Sequence, residues 1–137
     1  YCRIGCDITL NFLGDAHMRA LHREVPSTRN TMLNTVFRRQ LDGRAFRNDP
    51  DVFLLRDDNI RLTPEQKKTL AAVNALFGGV LFTSDNVGAY DAEKRALYEG
   101  IEALSRESVQ DIKADPGKVT VTYRDGTQTR KLTIPMR

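Results

Sequence analysis

The stretch Phe46-Arg-Asn-Asp-Pro-Asp-Val-Phe-Leu-Leu-Arg-Asp-Asp-Asn59 sets the architecture of the chain. Its middle, Val52–Leu55, is a short continuous apolar run with polar residues at both ends. Such a run fits a strand covered on both faces in a parallel sheet. A buried helix segment has the same composition, but Pro50 pushes the residue before it out of helical geometry and favours the strand. After the run come Arg56-Asp-Asp-Asn59, a helix signal and a second apolar run, Val80–Thr83. Strand, helix, strand in that order joins parallel strands.

Outward from this unit the pattern repeats. Thr63-Pro-Glu-Gln66 is a helix start: Thr63 caps, Pro64 suits the first turn and Gln66 closes a capping box. Leu70, Val73, Leu76 and Phe77 form the buried face, and Gly78-Gly79 stops the helix. Asp91 caps a further helix with an inner face of Leu97, Ile101 and Leu104. Upstream, Ser27 or Thr28 caps a helix over Arg29–Leu41, with Met32, Leu33, Val36, Phe37 and Leu41 on one face and Gly43 as its stop. Gly14–Glu24 is a looser helical pattern through Ala16, Met18, Ala20 and Leu21, ended by Pro26. Tyr1–Cys6 reads as the last part of a strand opening into a loop. Alternating strands and helices predict an α/β barrel or a doubly wound sheet over residues 1–106.

The tail changes character. Val119–Tyr123 alternates strictly, Asp125-Gly126 follows, and Thr127–Ile134 alternates again, which predicts a hairpin. Asp115-Pro-Gly117 marks a boundary just before it. Residues 107–137 are therefore expected to form an antiparallel β module of two or three strands, too small to stand without something to pack against.

Composition excludes several classes. With 40% hydrophobic and 28% charged residues the chain is globular rather than disordered. Net charge is 21 − 18 = +3. Arg38, Arg39, Arg44, Arg47, Arg56 and Arg61 crowd the middle, but Asp42, Asp49, Asp51, Asp57 and Asp58 interleave and cancel the field, so no nucleic-acid partner is expected. Cys2 and Cys6, four apart on a strand, stand ~13 Å from each other, too far for a disulfide. They make no zinc pattern with His17 and His22, which read as ordinary surface or packing residues. Reduced cysteines point to a cytoplasmic protein. No apolar run reaches the ~18 residues of a membrane span, and no signal peptide is visible. The first residue is Tyr, so the chain is expected to be a piece of something longer.

In a parallel sheet, ligands collect beyond the C-terminal ends of the strands. Three places qualify. Arg3-Ile-Gly-Cys-Asp7 puts a carboxylate after a strand, with an Arg four residues earlier to steady it and to hydrogen-bond a polyol. Arg56-Asp-Asp-Asn59 and Ser84-Asp-Asn86 are the others. Each loop acid has an ordinary alternative as a helix cap or a solvated residue. Asn48-Asp-Pro-Asp51 reads as a charged turn that builds a structural network. No phosphate-cradling Gly loop, Ser-His-Asp spacing or metal cluster is present, so no cofactor is expected.

Six segments together match a family. They are Arg3-Ile-Gly-Cys-Asp7, Leu21-His-Arg-Glu24, Asn30-Thr-Met-Leu-Asn34, Arg38-Arg-Gln-Leu-Asp-Gly-Arg-Ala-Phe46, Asn48-Asp-Pro-Asp-Val-Phe53 and Leu81-Phe-Thr-Ser-Asp-Asn86. In order and spacing the chain resembles α-galactosidases of the melibiase type, close to glycoside hydrolase family thirty-six, from Tyr1 to about Glu102. The resemblance implies the C-terminal part of a (β/α)8 TIM barrel, strands six to eight, followed by the start of a β-sandwich. It implies retaining hydrolysis of terminal α-galactosides from oligosaccharides. Asp7 falls on the family's general acid/base, and Arg3 and Cys6 on its sugar site, where many members have Pro in place of Cys6. Asn48, Asp49, Asp51, Ser84 and Asp85 fall near the site as structural residues.

A retaining glycosidase needs two carboxylates ~5–5.5 Å apart, one attacking and one protonating the leaving oxygen. The family's nucleophile, an Asp on the fourth strand in a Lys-x-Asp setting, has no counterpart here. The chain alone is therefore expected to be inactive. The rival expectation is a non-catalytic α/β module that binds a partner or self-associates through open strand edges.

Overall fold

The computed structural model describes residues 1–21 and 26–136, without the side chain of Met18. His22 and part of the expected first helix lie outside the described residues. The chain is an α/β structure with two small sheets. In order, its elements are α1 (Ala16–Leu21), α2 (Thr28–Phe37), β1 (Val52–Phe53), α3 (Pro64–Phe77), β2 (Phe82–Thr83), α4 (Ala92–Leu104), β3 (Val109–Asp115), β4 (Lys118–Asp125) and β5 (Gln128–Pro135).

β1 and β2 pair in parallel, Val52 opposite Phe82 and Phe53 opposite Thr83, with α3 as the crossover. The expected strand at Tyr1–Cys6 is reduced to a single isolated bridge beside the approach to β1. Cys2 bridges to Asn48 in parallel, its N–H donating to the Arg47 carbonyl at 3.0 Å and its carbonyl accepting from Asp49 N–H at 3.0 Å. β1 and β2 thus run in one direction, with the first segment parallel to the chain that enters β1, and the loops after β1 and β2 emerge at one end.

The helix start at Thr63 forms as the sequence predicts. Its hydroxyl accepts from Gln66 N–H, and the Gln66 side chain accepts from Thr63 N–H at 2.9 Å. α3 buries Leu70, Val73 and Phe77 under β1, and Phe53 of β1 and the Leu54 and Leu55 that follow it are all buried.

Three expectations differ from the structure. α2 stops at Phe37 rather than Leu41, because a 3-10 turn over Arg39–Leu41 changes the helical phase. Leu41 is therefore exposed; Phe37, at the last position of α2, is exposed as well, while Met32 and Val36 are buried. The second strand covers two residues, and Phe82 is 52% exposed rather than buried, since β2 has a strand neighbour on its β1 side alone among the described residues. Asp115-Pro-Gly117 is not a boundary. It is the turn of a first hairpin, with Asp115 opposite Lys118.

The predicted second hairpin is present. Asp125 pairs with Gln128 across Gly126-Thr127, and Gly126 takes the left-handed φ of +61° that a tight hairpin loop needs. β4 is the central strand of the sheet β3-β4-β5. Its Val119 and Val121, with Leu132 and Ile134 of β5, face α2 and α3 and merge with the helical core into one cluster.

Candidate functional site

The side chain of Arg3 is the centre of the first cluster. It emerges beside the Cys2–Asn48 bridge, where the first segment and the Asn48–Asp51 turn run together. Its guanidinium hydrogen-bonds Asp7 and lies 3.4 Å from Asp49 Oδ2 and 3.3 Å from Asp51 Oδ1. The structure thus joins Arg3, Asp7, Asp49 and Asp51, four residues read from the sequence as two separate groups. Burial works against the charged guanidinium, but the carboxylates of Asp51 and Asp49 and the bonds to Asp7 and Asp49 outweigh it and hold its pKa above the ordinary value. One guanidinium serves three carboxylates, so its charge is divided among them.

The three acids are not equivalent. The Asp7 side chain is 77% exposed, against 24% for Asp49 and 11% for Asp51. Asp51 is a building block: Oδ2 accepts from Ile8 N–H at 2.8 Å and Oδ1 from Val52 N–H at 2.9 Å. Its backbone sits at φ +71°, a left-handed conformation that Asp tolerates better than most residues. Asn74 of α3 holds it there, donating from Nδ2 to the Asp51 carbonyl at 2.9 Å. Asp49 accepts from Asp51 N–H at 2.9 Å, the local bond expected of an acidic turn. Asn48 is buried and ties the turn to the end of α3 through Phe77, at 3.2 Å. Asp7 alone projects its carboxylate into solvent, free to meet a ligand.

Cys6 is placed differently. Its sulfur lies 3.2 Å from the Thr31 hydroxyl on α2 and makes no hydrogen bond to the Arg3 cluster among the described residues. The same hydroxyl stands 2.7 Å from the Cys6 carbonyl and 3.1 Å from that of Asp7, and so steadies the loop that presents the acid. Both cysteines are free thiols. The supporting roles of Thr31 and Asn74 are not legible in the sequence alone. The available signal was a polar residue on an otherwise buried helix face.

A second cluster lies beyond the ends of β1 and β2. Asp85, its side chain fully buried, accepts through Oδ2 from Leu55 N–H (2.5 Å), Arg56 N–H (3.0 Å) and the Tyr90 hydroxyl (2.7 Å). It therefore clips the loop after β2 onto the end of β1. Burial and the bond to Asp85 push the Tyr90 hydroxyl pKa well up. Asp57 sits between Lys67 Nζ (2.7 Å) and Lys94 Nζ (2.8 Å), and these bonds, Lys67 first, draw its carboxyl down to about 2. Ser84 is exposed at the rim. Among the described residues no group of three or more His, Cys, Asp or Glu is placed to hold a metal ion, and no helix is long and apolar enough to cross a membrane.

No family model matches the chain. Its fold is similar to that of TtGalA, an α-galactosidase from Thermus thermophilus solved in complex with p-nitrophenyl α-D-galactopyranoside. The TM-score is 0.56 at 23% identity, covering 85% of this chain and 24% of that one. At this identity the likeness is one of fold. The chain spans about a quarter of that enzyme's length.

Proposed function

We propose that the chain is part of a retaining α-galactosidase, with Asp7 as general acid/base. The observation that carries this is the Arg3 guanidinium bonded to Asp7 and flanked by Asp49 and Asp51, beside parallel strand segments whose loops emerge at one end. In this reading residues 1–106 belong to a (β/α)8 barrel and residues 107–137 open a β-sandwich. Likeness of fold to an α-galactosidase supports it. Asp7 donates its proton to the departing glycosidic oxygen and then takes one from the attacking water, while Arg3 orients the carboxylate and Asp51 pins the loop through Ile8. The nucleophile comes from outside these residues. The substrate is an α-galactoside oligosaccharide, the protein needs no cofactor, and its free thiols fit the cytoplasm.

The test uses p-nitrophenyl α-D-galactopyranoside. A longer protein containing this chain and a Lys-x-Asp strand hydrolyses it, and Asp7→Asn lowers kcat by roughly 10²–10⁴-fold. The 137-residue chain alone shows no turnover. Turnover by the chain alone that survives Asp7→Asn overturns the reading.

One observation favours a second reading, a non-catalytic module that self-associates. Phe82 is 52% exposed on β2, whose outer edge is unpaired among the described residues. Light scattering decides it: a monomer at high concentration removes this reading, and a dimer that Phe82→Lys dissociates supports it.

A further inference from the structure

The segment Cys6–Thr9 carries Asp7 but belongs to no strand, and among the described residues its backbone makes no hydrogen bond to another backbone group. Side chains hold it instead. The Thr31 hydroxyl donates to the Cys6 carbonyl at 2.7 Å, with the Asp7 carbonyl at 3.1 Å. The Thr28 hydroxyl donates to the Thr9 carbonyl at 2.7 Å and accepts from Thr9 N–H at 3.2 Å. Asp51 takes the Ile8 N–H between them, at 2.8 Å. The acid thus rides on a backbone pinned before, at and after it.

Both threonines stand on α2, three residues apart and so on one face, and they are 0% and 1% exposed. A buried hydroxyl costs free energy unless it is hydrogen-bonded. Packing alone is served better by aliphatic side chains, such as the buried Met32 and Val36 of the same helix. The two hydroxyls are matched instead to the backbone of one segment. The Asp7 side chain is 77% exposed, and among the described residues its carboxylate hydrogen-bonds Arg3 alone. Where that carboxyl stands is therefore set largely by its loop.

Placement decides what a general acid can do. When the bond between galactose C1 and the departing oxygen breaks, the electron pair goes to that oxygen, and the nucleophile from outside these residues bonds C1. A sugar hydroxyl leaves only with the proton that Asp7 gives it, whereas a dinitrophenolate leaves as a stable anion. A misplaced acid slows the first class and spares the second. General loosening of the fold slows both. We propose that Thr28 and Thr31 are positioning residues: through the backbone of Cys6–Thr9 they fix the Asp7 carboxyl, and so set the ability to expel leaving groups that need a proton. The proposal rests on the reading of Asp7 as general acid/base.

The test compares kcat/KM for melibiose and for 2,4-dinitrophenyl α-D-galactopyranoside in the longer protein. Thr31→Val keeps the shape and removes the hydroxyl. It should lower kcat/KM for melibiose by about 10–100-fold and for the dinitrophenyl substrate by less than about threefold. Thr28→Val should give the same split, and Thr31→Ser, which restores the hydroxyl, should remove it. Equal losses on both substrates in folded Thr31→Val and Thr28→Val overturn the proposal. Asp7→Asn separates the two readings. A split there without one in the threonine variants sinks the positioning role alone, and no split there sinks the Asp7 reading and this proposal with it. One measurement needs no variant: in the 137-residue chain the Ile8 and Thr9 amides should exchange with solvent at least about tenfold more slowly than in an unstructured peptide. Exchange at the free-peptide rate overturns the pinned loop.

Discussion

Asp57 shows how an exposed carboxylate is tuned. It is mostly solvent-exposed, yet two lysine ammonium groups from different helices converge on it and lower its pKa to about 2, from 3.8 in the absence of the fold. A carboxyl with a depressed folded pKa contributes stability above its unfolded pKa and loses it as pH falls through the folded one. The window here is therefore about pH 4 down to about pH 2. Asp57→Asn removes the effect. Urea unfolding of the wild type and the variant should differ at pH 5, and the difference should close as pH falls to 2. A gap that stays constant over that range means that the two lysines hold Asp57 no better in the folded chain than in the unfolded one.

At the level of elements, the glycine pair after α3 is a packing device. A Cβ on Gly78 would stand 2.5 Å from the Asn74 carbonyl oxygen, 2.7 Å from Pro50 and 2.7 Å from the Val80 carbonyl oxygen. Two of the three are backbone atoms, so relief requires the strand entry at Pro50 or the helix end to move. Gly78→Ala should cost at least about 2 kcal/mol. Gly100 is the internal control: it sits exposed within α4 with nothing near a new Cβ, and Gly100→Ala should stabilise by about 0.5–1 kcal/mol. Denaturant midpoints of the two variants should move in opposite directions.

The same contrast explains what the sequence could show. Residues 63–66 carry their own helix start, and Asp125-Gly126 its own turn, because these signals are local and both hydrogen-bonding partners lie within four residues. The Arg3 cluster was half legible. Arg3 and Asp7 are four apart, but their meeting with Asp49 and Asp51 depends on a parallel bridge between segments 46 residues apart. Leu41 misled because a periodic pattern says nothing about a change from α to 3-10 winding. Phe82 misled because burial of a strand depends on neighbours outside the strand itself.

For the whole molecule, the question is whether the α/β part and the three-stranded sheet are one cooperative unit. Sequence composition separates them near residue 107, but the core does not: Val119, Val121 and Ile134 are fully buried and belong to the same apolar cluster as Met32, Val36, Leu70 and Val73. A three-stranded sheet is marginal alone, so it gains its stability by covering α2 and α3, and the helices gain theirs by being covered. Truncating Ile134, at the far end of the last strand, should therefore weaken the helices as well. Ile134→Ala should cost about 2–5 kcal/mol, as for other fully buried aliphatic side chains. Helical circular dichroism at 222 nm and the backbone amide NMR signals of Val119–Tyr123, on the central strand, should be lost in one coincident urea transition at a lower midpoint. Two separated transitions, with the helical signal unmoved by the substitution, would make the sheet an independent appendage of the α/β part.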